Sequence, residues 1–363
     1  MSDKILMSGN EAMAEGAICA GCRLYAGYPI TPQNELIAHM ARRMPQLGRV
    51  FIQAESELAA INMVFGASAT GVRAMTSSSS PGISLKQEGI SYLAGAQLPA
   101  VIVNVMRGGP GLGDVTPSQS DYFQATKGGG HGDYHSIVLA PASVPEAYNI
   151  MRLAFDLSDM YRTPAMVLAD GILGQMMEPV QVSDDGCQIT DKNKKLKSES
   201  LKPWALTGCK GRKPNIIRSL YMAEGELEKL NLTLQEKYKT IKSKEQRYET
   251  MFLDDAQVVI VAYGTMARIA KSALRALRAK GKKVGFIRPI TLWPFPEKVF
   301  TELLRKKKHL RILVVEMSYG QMLEDVKLSL NCGLPVDFLG RAGGGIPSEE
   351  AIIKKVKSLM TKV

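Results

Sequence analysis

The sequence is poor in cysteine, with 5 cysteines scattered over 363 residues. A small disulfide-stabilised fold needs more cysteines at closer spacing, so that class is excluded. Cys19 and Cys22 form a C-x-x-C pair. No second pair of ligands accompanies it, and the small apolar residues around it favour packing within a helix. The C-x-x-C-x-x-C-x-x-x-C-P run that binds ferredoxin-type clusters is absent.

Long apolar runs are also missing. No stretch reaches the roughly 18 unbroken apolar residues of a membrane span. The first residues include acids where a signal peptide needs a basic and then an apolar stretch. We therefore expect a cytoplasmic protein that does not enter a membrane. With 45% hydrophobic and 22% charged residues, the composition is that of an ordinary globular protein, and the length predicts about two domains.

Acidic residues are outnumbered by basic ones, giving a formal net charge of +11. Such an excess raises the question of nucleic-acid binding. The basic residues concentrate in runs at 192–213, 237–247 and 305–311, and none of these runs forms a readable recognition module. We expect no nucleic-acid partner, and we interpret the runs as a solvated face or a surface for an acidic protein.

Nucleotide-binding motifs are absent as well. The loop RGGPGLGD at 107–114 resembles a dinucleotide-binding loop, but aspartate occupies the position of the third glycine of G-x-G-x-x-G. Pro110 interrupts the turn, and no amphipathic helix follows directly. The P-loop motif is missing too. A nicotinamide-dependent dehydrogenase is therefore the weaker alternative.

Short apolar runs in the first half predict buried parallel strands, because both faces of each run are apolar. These runs lie at 23–26, 50–53, 74–77, 100–106, 137–140 and 165–169. Helices with readable starts separate them, beginning after Pro32, Ser56 and Ser143. This alternation predicts a doubly wound α/β domain over residues 1–180.

Residues 181–254 interrupt the alternation with a polar, lysine-rich connector, in which 224–248 predict one helix. Alternation then resumes, and it predicts a second, smaller α/β domain over 255–363. Its predicted strands are 258–265, 284–291, 312–318 and 336–340.

Open parallel sheets bind ligands beyond the carboxyl ends of their strands. Thr31, in GYPITP, and Glu57, in QAESELAA, both follow predicted strands and precede helices. Arg107 follows the most apolar strand. A hydroxyl, helix-start amides and a guanidinium all suit a carboxylate ligand. Glu57 alone could simply serve the helix dipole, but its neighbours favour a site.

Several blocks together resemble the alpha subunit of the 2-oxoacid:ferredoxin oxidoreductases, nearest to the 2-oxoisovalerate and 2-oxoglutarate type. They are GYPITP (27–32), E-S-E (55–57), TSSSSPGISLKQEGI (76–90), MRGGPGLGDVTPSQSD (106–121) and GGGHGDY (128–134). The stretches AYGTMA, EMSYGQM and GRAGG resemble a transketolase-C-terminal-like domain. The resemblance implies a thiamine-pyrimidine-binding-like domain followed by that smaller domain.

The resemblance also implies an activity, the oxidative decarboxylation of a 2-oxoacid to acyl-coenzyme A with reduction of ferredoxin. Thiamine diphosphate would act as the electron sink. By motif position, Glu57 is the carboxylate that activates the pyrimidine ring, with Glu55 as the alternative. Tyr28 would help to bind the cofactor, and Thr31 and Arg107 would bind the substrate carboxylate.

Family features that this chain lacks imply partner subunits. It has no G-D-G magnesium motif and no cluster cysteines, and His131 and His135, with no carboxylate cluster nearby, favour loop packing over a metal site. We expect a beta subunit with the diphosphate site, magnesium and clusters on partner subunits, and gamma and delta subunits that handle coenzyme A and electrons. Met106 beside Arg107 favours branched-chain substrates, with 2-oxoglutarate or a non-catalytic interaction subunit as alternatives.

Overall fold

The computed structural model describes residues 4–182, 202–306 and 310–361. The first part of the predicted connector, 183–201, lies outside the described residues. The strands are β1 (Lys4–Ser8), β2 (Leu24–Gly27), β3 (Val50–Gln53), β4 (Ala74–Ser78), β5 (Val101–Met106), β6 (Ile137–Leu139), β7 (Ala165–Asp170), β8 (Met177–Gln181), β9 (Tyr248–Met251), β10 (Val258–Val261), β11 (Val284–Pro289), β12 (Thr291–Trp293), β13 (Arg311–Glu316) and β14 (Val336–Gly340).

Helices connect most of these strands. They are α1 (Gly9–Cys19), α2 (Asn34–Gln46), α3 (Glu57–Ala69), α4 (Ser80–Gly95), α5 (Tyr122–Thr126), α6 (Val144–Tyr161), α7 (Gly171–Gln175), α8 (Glu226–Lys244), α9 (Gly264–Ala279), α10 (Glu297–Lys306), α11 (Gln321–Leu330) and α12 (Glu349–Met360). Two predicted starts are confirmed, because Ser56 and Ser143 cap α3 and α6 through their hydroxyls.

The first sheet has the strand order β12-β6-β7-β5-β4-β2-β3 among the described residues. Strands β2 to β7 run parallel to one another, and the ends of each agree with a predicted run to within one residue. The central strands β4, β5 and β7 are buried along their whole length. This burial explains why their sequences are apolar on both faces. The predicted α/β fold class is confirmed.

The second sheet has the order β14-β13-β10-β11-β9 within the described ranges. Four parallel strands, β10, β11, β13 and β14, correspond to the predicted ones. Strand β9, from the predicted connector, adds to the edge in antiparallel orientation. Predicted helix 224–248 is α8, which ends before this strand.

Two predicted strands are wrong in their extent. The strand predicted at 258–265 ends at Val261, because α9 begins at Gly264, and the strand predicted at 284–291 ends at Pro289. The chain leaves the second sheet after β11, and β12 then pairs with β6 in the first sheet, Thr291 opposite Leu139. Every residue of β12 is buried, so this apolar segment shields the edge of β6. Strands β1 and β8, which the sequence did not indicate, form a separate antiparallel pair.

Buried hydrogen bonds join the carboxyl edge of the first sheet to the second half. Gln119 donates to the carbonyl oxygen of Tyr263 at 2.9 Å and accepts from the amide of Met317 at 2.9 Å. Asp170 accepts from the amide and hydroxyl of Thr265 at 3.0 and 2.7 Å. Burial raises the pKa of Asp170, and these bonds oppose the rise. A fully buried network of this kind fixes the two halves in one arrangement.

Cys19 and Cys22 are not bonded to each other. Cys22 is a free thiol, and its burial raises its pKa to about 12. Cys19 takes part in a disulfide bond with another cysteine. Among the described residues, no helix has both the length and the apolar character that spanning a bilayer requires.

Candidate active site

Glu57 is the first residue of α3, directly beyond the carboxyl end of β3. The hydroxyl of Ser56 accepts a hydrogen bond from the amide of Ala59 at 3.2 Å, which fixes the start of this helix. Glu57 is 6% exposed, whereas Glu55, two residues earlier, is exposed. The structure therefore places the two acids of E-S-E in different environments, and only Glu57 faces the interior.

The Glu57 carboxylate lies against the first turn of α4. A Cβ built on Gly82 would be 2.5 Å from Oε1 of Glu57 and 2.1 Å from Oγ of Ser78. Real Cβ contacts are not this short, so any larger residue at this position must displace the Ser78 hydroxyl or the Glu57 carboxylate. No hydrogen bond to the Glu57 carboxylate occurs among the described residues, and the hydroxyls of Ser78 and Ser79 are buried without partners there. Buried polar atoms normally have partners, so these atoms can receive a polar ligand.

We predict that Gly82→Ala moves the Glu57 carboxylate and lowers catalytic turnover. The added methyl group must displace Ser78 or Glu57, and overpacking of this kind typically costs about 1–3 kcal/mol of folding free energy. Chemical denaturation and turnover of the assembled enzyme measure the two effects. Gly66→Ala in α3 is the matched control, because its added methyl meets no atom within 4 Å. Equal turnover for both variants would contradict the assignment of Gly82.

Arg107 and Thr31 come together at the neighbouring strand ends. Arg107 is 7% exposed. Its Nη1 donates to the carbonyl oxygen of Thr31 at 2.9 Å, and its Nη2 donates to that of Leu112 at 3.2 Å. Its Nε is buried without a partner within the described ranges. The guanidinium thus retains a free N–H donor. The hydroxyl of Thr31 accepts a hydrogen bond from the side chain of Asn34 at 3.2 Å.

Two residues that the sequence analysis did not single out hold Arg107 in place. The hydroxyl of Ser80 accepts from the amide of Arg107 at 3.0 Å and donates to Asp121 at 2.6 Å. Asn104 donates to the same carboxylate at 2.9 Å. Burial raises the pKa of Asp121, and the two hydrogen bonds oppose the rise. Both residues lie in the blocks at 76–90 and 106–121, so motif position could have identified them.

Tyr28 does not join this group through its side chain. Tyr28 is 39% exposed. The hydrogen bond that holds it is made by the main chain, where its carbonyl oxygen accepts from the side chain of Gln33 at 3.3 Å. An exposed ring beside the site suits contact with a bound molecule or a second chain.

The two loop histidines pack as the sequence analysis expected. The His135 ring stacks on Trp293 at 4.4 Å between centroids, and burial lowers its pKa to about 4. The carbonyl oxygen of His131 accepts from Ser91 at 2.7 Å. In the part of the chain that the structure describes, no three His, Cys, Asp or Glu residues are grouped to hold a metal ion.

Two known protein families match this chain. Residues 15–250 match the family described as "Pyruvate flavodoxin/ferredoxin oxidoreductase, thiamine diP-bdg". Residues 256–352 match "Pyruvate:ferredoxin oxidoreductase core domain II". The chain belongs to the 2-oxoacid:ferredoxin oxidoreductase family. It is a subunit of a multi-subunit thiamine-dependent enzyme, as the motif blocks predicted.

Individual members of the family are similar over almost the whole chain. The ketoisovalerate oxidoreductase subunit VorB of Methanothermobacter marburgensis is 48% identical, over 98% of this chain and 97% of that protein. The 2-oxoglutarate synthase subunit KorA of Methanocaldococcus jannaschii is 37% identical, over 96% of this chain and 98% of that protein.

Solved structures show the same fold. The 2-oxoglutarate:ferredoxin oxidoreductase of Magnetococcus marinus superposes with a TM-score of 0.87 at 27% identity, covering 99% of this chain and 66% of that chain. A split-gene transketolase has a TM-score of 0.58 at 13% identity, which is a likeness of fold alone.

Proposed function

We propose that this chain is the alpha subunit of a branched-chain 2-oxoacid:ferredoxin oxidoreductase and that it binds the pyrimidine side of thiamine diphosphate. The observation that carries the proposal is the buried carboxylate of Glu57, which has no hydrogen-bond partner among the described residues and lies in space left by Gly82. A buried carboxylate at such a cleft needs a polar partner. A ring nitrogen that exchanges a proton fits this requirement.

In this proposal the residues of the chain have separate roles. Glu57 holds a proton at the pyrimidine ring nitrogen, and the exposed ring of Tyr28 borders the bound group. Arg107 pairs with the substrate carboxylate through its remaining N–H groups, and the hydroxyl of Thr31 adds a further contact. The bound cofactor supplies the electron sink that decarboxylation requires. Ser80 and Asp121 keep the Arg107 main chain in position.

The proposed substrate class is the branched-chain 2-oxoacids, such as 2-oxoisovalerate. Two ketoisovalerate oxidoreductase subunits are 48% and 47% identical to this chain, and 2-oxoglutarate synthase subunits are 35% to 40% identical. Met106 itself is buried in the core. The exposed apolar side chains in the loop after Arg107 are instead Leu112 and Val115. Apolar residues in this loop favour an apolar substrate, and 2-oxoglutarate is the second candidate.

A panel of 2-oxoacids assayed with the reconstituted enzyme tests the substrate class. We expect kcat/KM to be higher for 2-oxoisovalerate than for 2-oxoglutarate or pyruvate. An apolar pocket discriminates against a second carboxylate because that charge would be desolvated without a partner. A preference for 2-oxoglutarate would assign the chain to the second candidate.

We also propose that the remaining chemistry lies on other subunits. A beta subunit would bind the diphosphate through magnesium, and further subunits would carry iron–sulfur clusters, handle coenzyme A and reduce ferredoxin. The absence of cluster and G-D-G motifs from the sequence supports this division. The cytoplasmic location remains a prediction.

The isolated chain is therefore expected to be inactive and to bind thiamine diphosphate weakly. It would hold the pyrimidine end without the magnesium–diphosphate anchor, which supplies most of the charge-based affinity. Calorimetric titration of the pure chain with the cofactor and magnesium measures this binding. The complete enzyme serves as the positive control. Tight magnesium-dependent binding by the isolated chain, or 2-oxoacid-dependent dye reduction, would contradict the proposed division.

A further inference from the structure

A lysine is buried directly beside Glu57. Lys86, on α4, is 0% exposed and is among the largest fully buried side chains. Its Nζ donates to the main-chain carbonyl oxygen of Glu57 at 3.2 Å, which is its one hydrogen bond within the described ranges. Burying an ammonium group with so few partners costs folding free energy. Packing alone does not explain a charged residue at this position.

The face of α4 that packs on α3 explains how the two residues meet. Gly82, Lys86 and Gly89 are spaced at i, i+4 and i+7 on this face. A Cβ on Gly89 would be 2.5 Å from the side chain of Ile61 in α3. The two glycines bring the helices close together, and the lysine between them reaches the first residue of α3.

The charges of Lys86 and Glu57 act on each other. Burial lowers the pKa of Lys86 to about 8, and the charge of Glu57 opposes this change. Among the described residues, Glu57 is the charged group whose field opposes the effect of burial on Lys86. Lys86 therefore carries a proton through most of the neutral range, and its positive charge is attracted to the carboxylate of Glu57.

We infer that Lys86 is a positioning residue that fixes the main chain of Glu57 and balances its buried carboxylate. The inference rests on the proposed role of Glu57 and extends it. In this inference Lys86 acts through Glu57 and is not itself a ligand of the substrate or the cofactor. It holds the first residue of α3 in place and supplies a positive charge next to the Glu57 carboxylate.

A stability measurement on the full chain gives the first test. Lys86→Met keeps the length of the side chain and removes the charge, so we expect unfolding in urea at pH 7 to need an equal or higher denaturant concentration. Between about pH 8 and 10.5, the folded wild-type chain binds fewer protons at Lys86 than the unfolded chain does. The free energy of unfolding of the wild type therefore rises with pH in this window, relative to that of Lys86→Met. A constant difference across this window would show that Lys86 is not a buried, protonated group.

Catalysis in the assembled enzyme should change in the opposite direction. We expect Lys86→Met to lower kcat about tenfold or more and to leave the KM for the 2-oxoacid within about twofold. The loss follows because Glu57 loses both the hydrogen bond to its main chain and the cation next to its carboxylate. Lys86→Gln, which retains a donor, should fall between wild type and Lys86→Met.

Lys237 provides the matched control. This lysine lies on α8, and burial also lowers its pKa to about 8. Its Nζ donates to the main-chain carbonyl oxygen of Arg162 at 3.1 Å. Lys237→Met should change stability and leave kcat and KM as in the wild type. Equal losses of kcat in Lys86→Met and Lys237→Met, or a wild-type kcat in Lys86→Met, would overturn the inference.

The double variant separates this inference from the proposed function. Because Lys86 acts through Glu57, adding Lys86→Met to Glu57→Gln should slow exchange of the cofactor thiazolium C2 proton no further than Glu57→Gln does alone. If Glu57→Gln exchanges this proton at the wild-type rate, the proposed role of Glu57 fails. If Glu57→Gln is slow and Lys86→Met is normal, only the role of Lys86 fails.

Discussion

Replacing Glu57 by Gln should slow the reaction of the assembled enzyme by about 10² to 10⁴-fold, the usual contribution of a positioned acid–base group. Gln keeps the size of the side chain and removes its charge. The space against Gly82 stays filled, so folding and assembly should survive. The most direct measurement is exchange of the thiazolium C2 proton in the complex, which isolates proton activation from later electron transfer.

Glu55→Gln is the control for this experiment. The residue lies two positions away in the same E-S-E block, but its side chain is exposed, so we expect C2-proton exchange close to that of the wild type. A slow Glu55→Gln enzyme together with a normal Glu57→Gln enzyme would show that the other acid activates the cofactor. Normal exchange in both variants would favour the non-catalytic interaction subunit.

Replacing Arg107 by Lys should lower kcat/KM for the 2-oxoacid by about 10 to 150-fold. The loss of one charge-assisted hydrogen bond is worth about 1.5–3 kcal/mol, and about 1.4 kcal/mol corresponds to a factor of ten. A lysine cannot offer two parallel donors, and it also cannot bond to Thr31 and Leu112 at once as Arg107 does. Steady-state kinetics of the reconstituted enzyme measure the effect.

Arg288→Lys is the matched control for Arg107→Lys. Arg288 is an equally buried arginine whose Nη1 and Nη2 donate to Glu146 at 2.7 and 2.9 Å, away from the candidate site. This variant should lose stability and keep the KM for the 2-oxoacid. An unchanged kcat/KM in Arg107→Lys would mean that another residue binds the substrate carboxylate.

Much of the architecture could be read from local sequence patterns. The parallel strands of both sheets were predictable because runs such as Val101–Met106 are buried on both faces and must be apolar throughout. The starts of α3 and α6 were predictable because Ser56 and Ser143 satisfy free amides within one turn. Division of the chain at 181 and 254 remains a prediction.

The candidate site was predictable in its members but not in its contacts. Glu57, Thr31 and Arg107 could be named because they follow strand ends in a sheet whose ligand edge is known in advance. The bond from Arg107 to the carbonyl oxygen of Thr31 joins residues 76 positions apart. No local pattern encodes such a pair, since it depends on how β2 and β5 are ordered in the sheet.

By itself, then, the sequence determined the type of each main element and the family, and it indicated the edge at which the candidate site lies. Only the tertiary structure decided which acid of E-S-E is buried, that β12 joins the first sheet, and that Lys86 lies beside Glu57. The reason is physical: element type follows from the spacing of apolar residues along the chain. The burial of one carboxylate, and the cation that compensates it, depend on how closely α4 packs against α3 through Gly82 and Gly89.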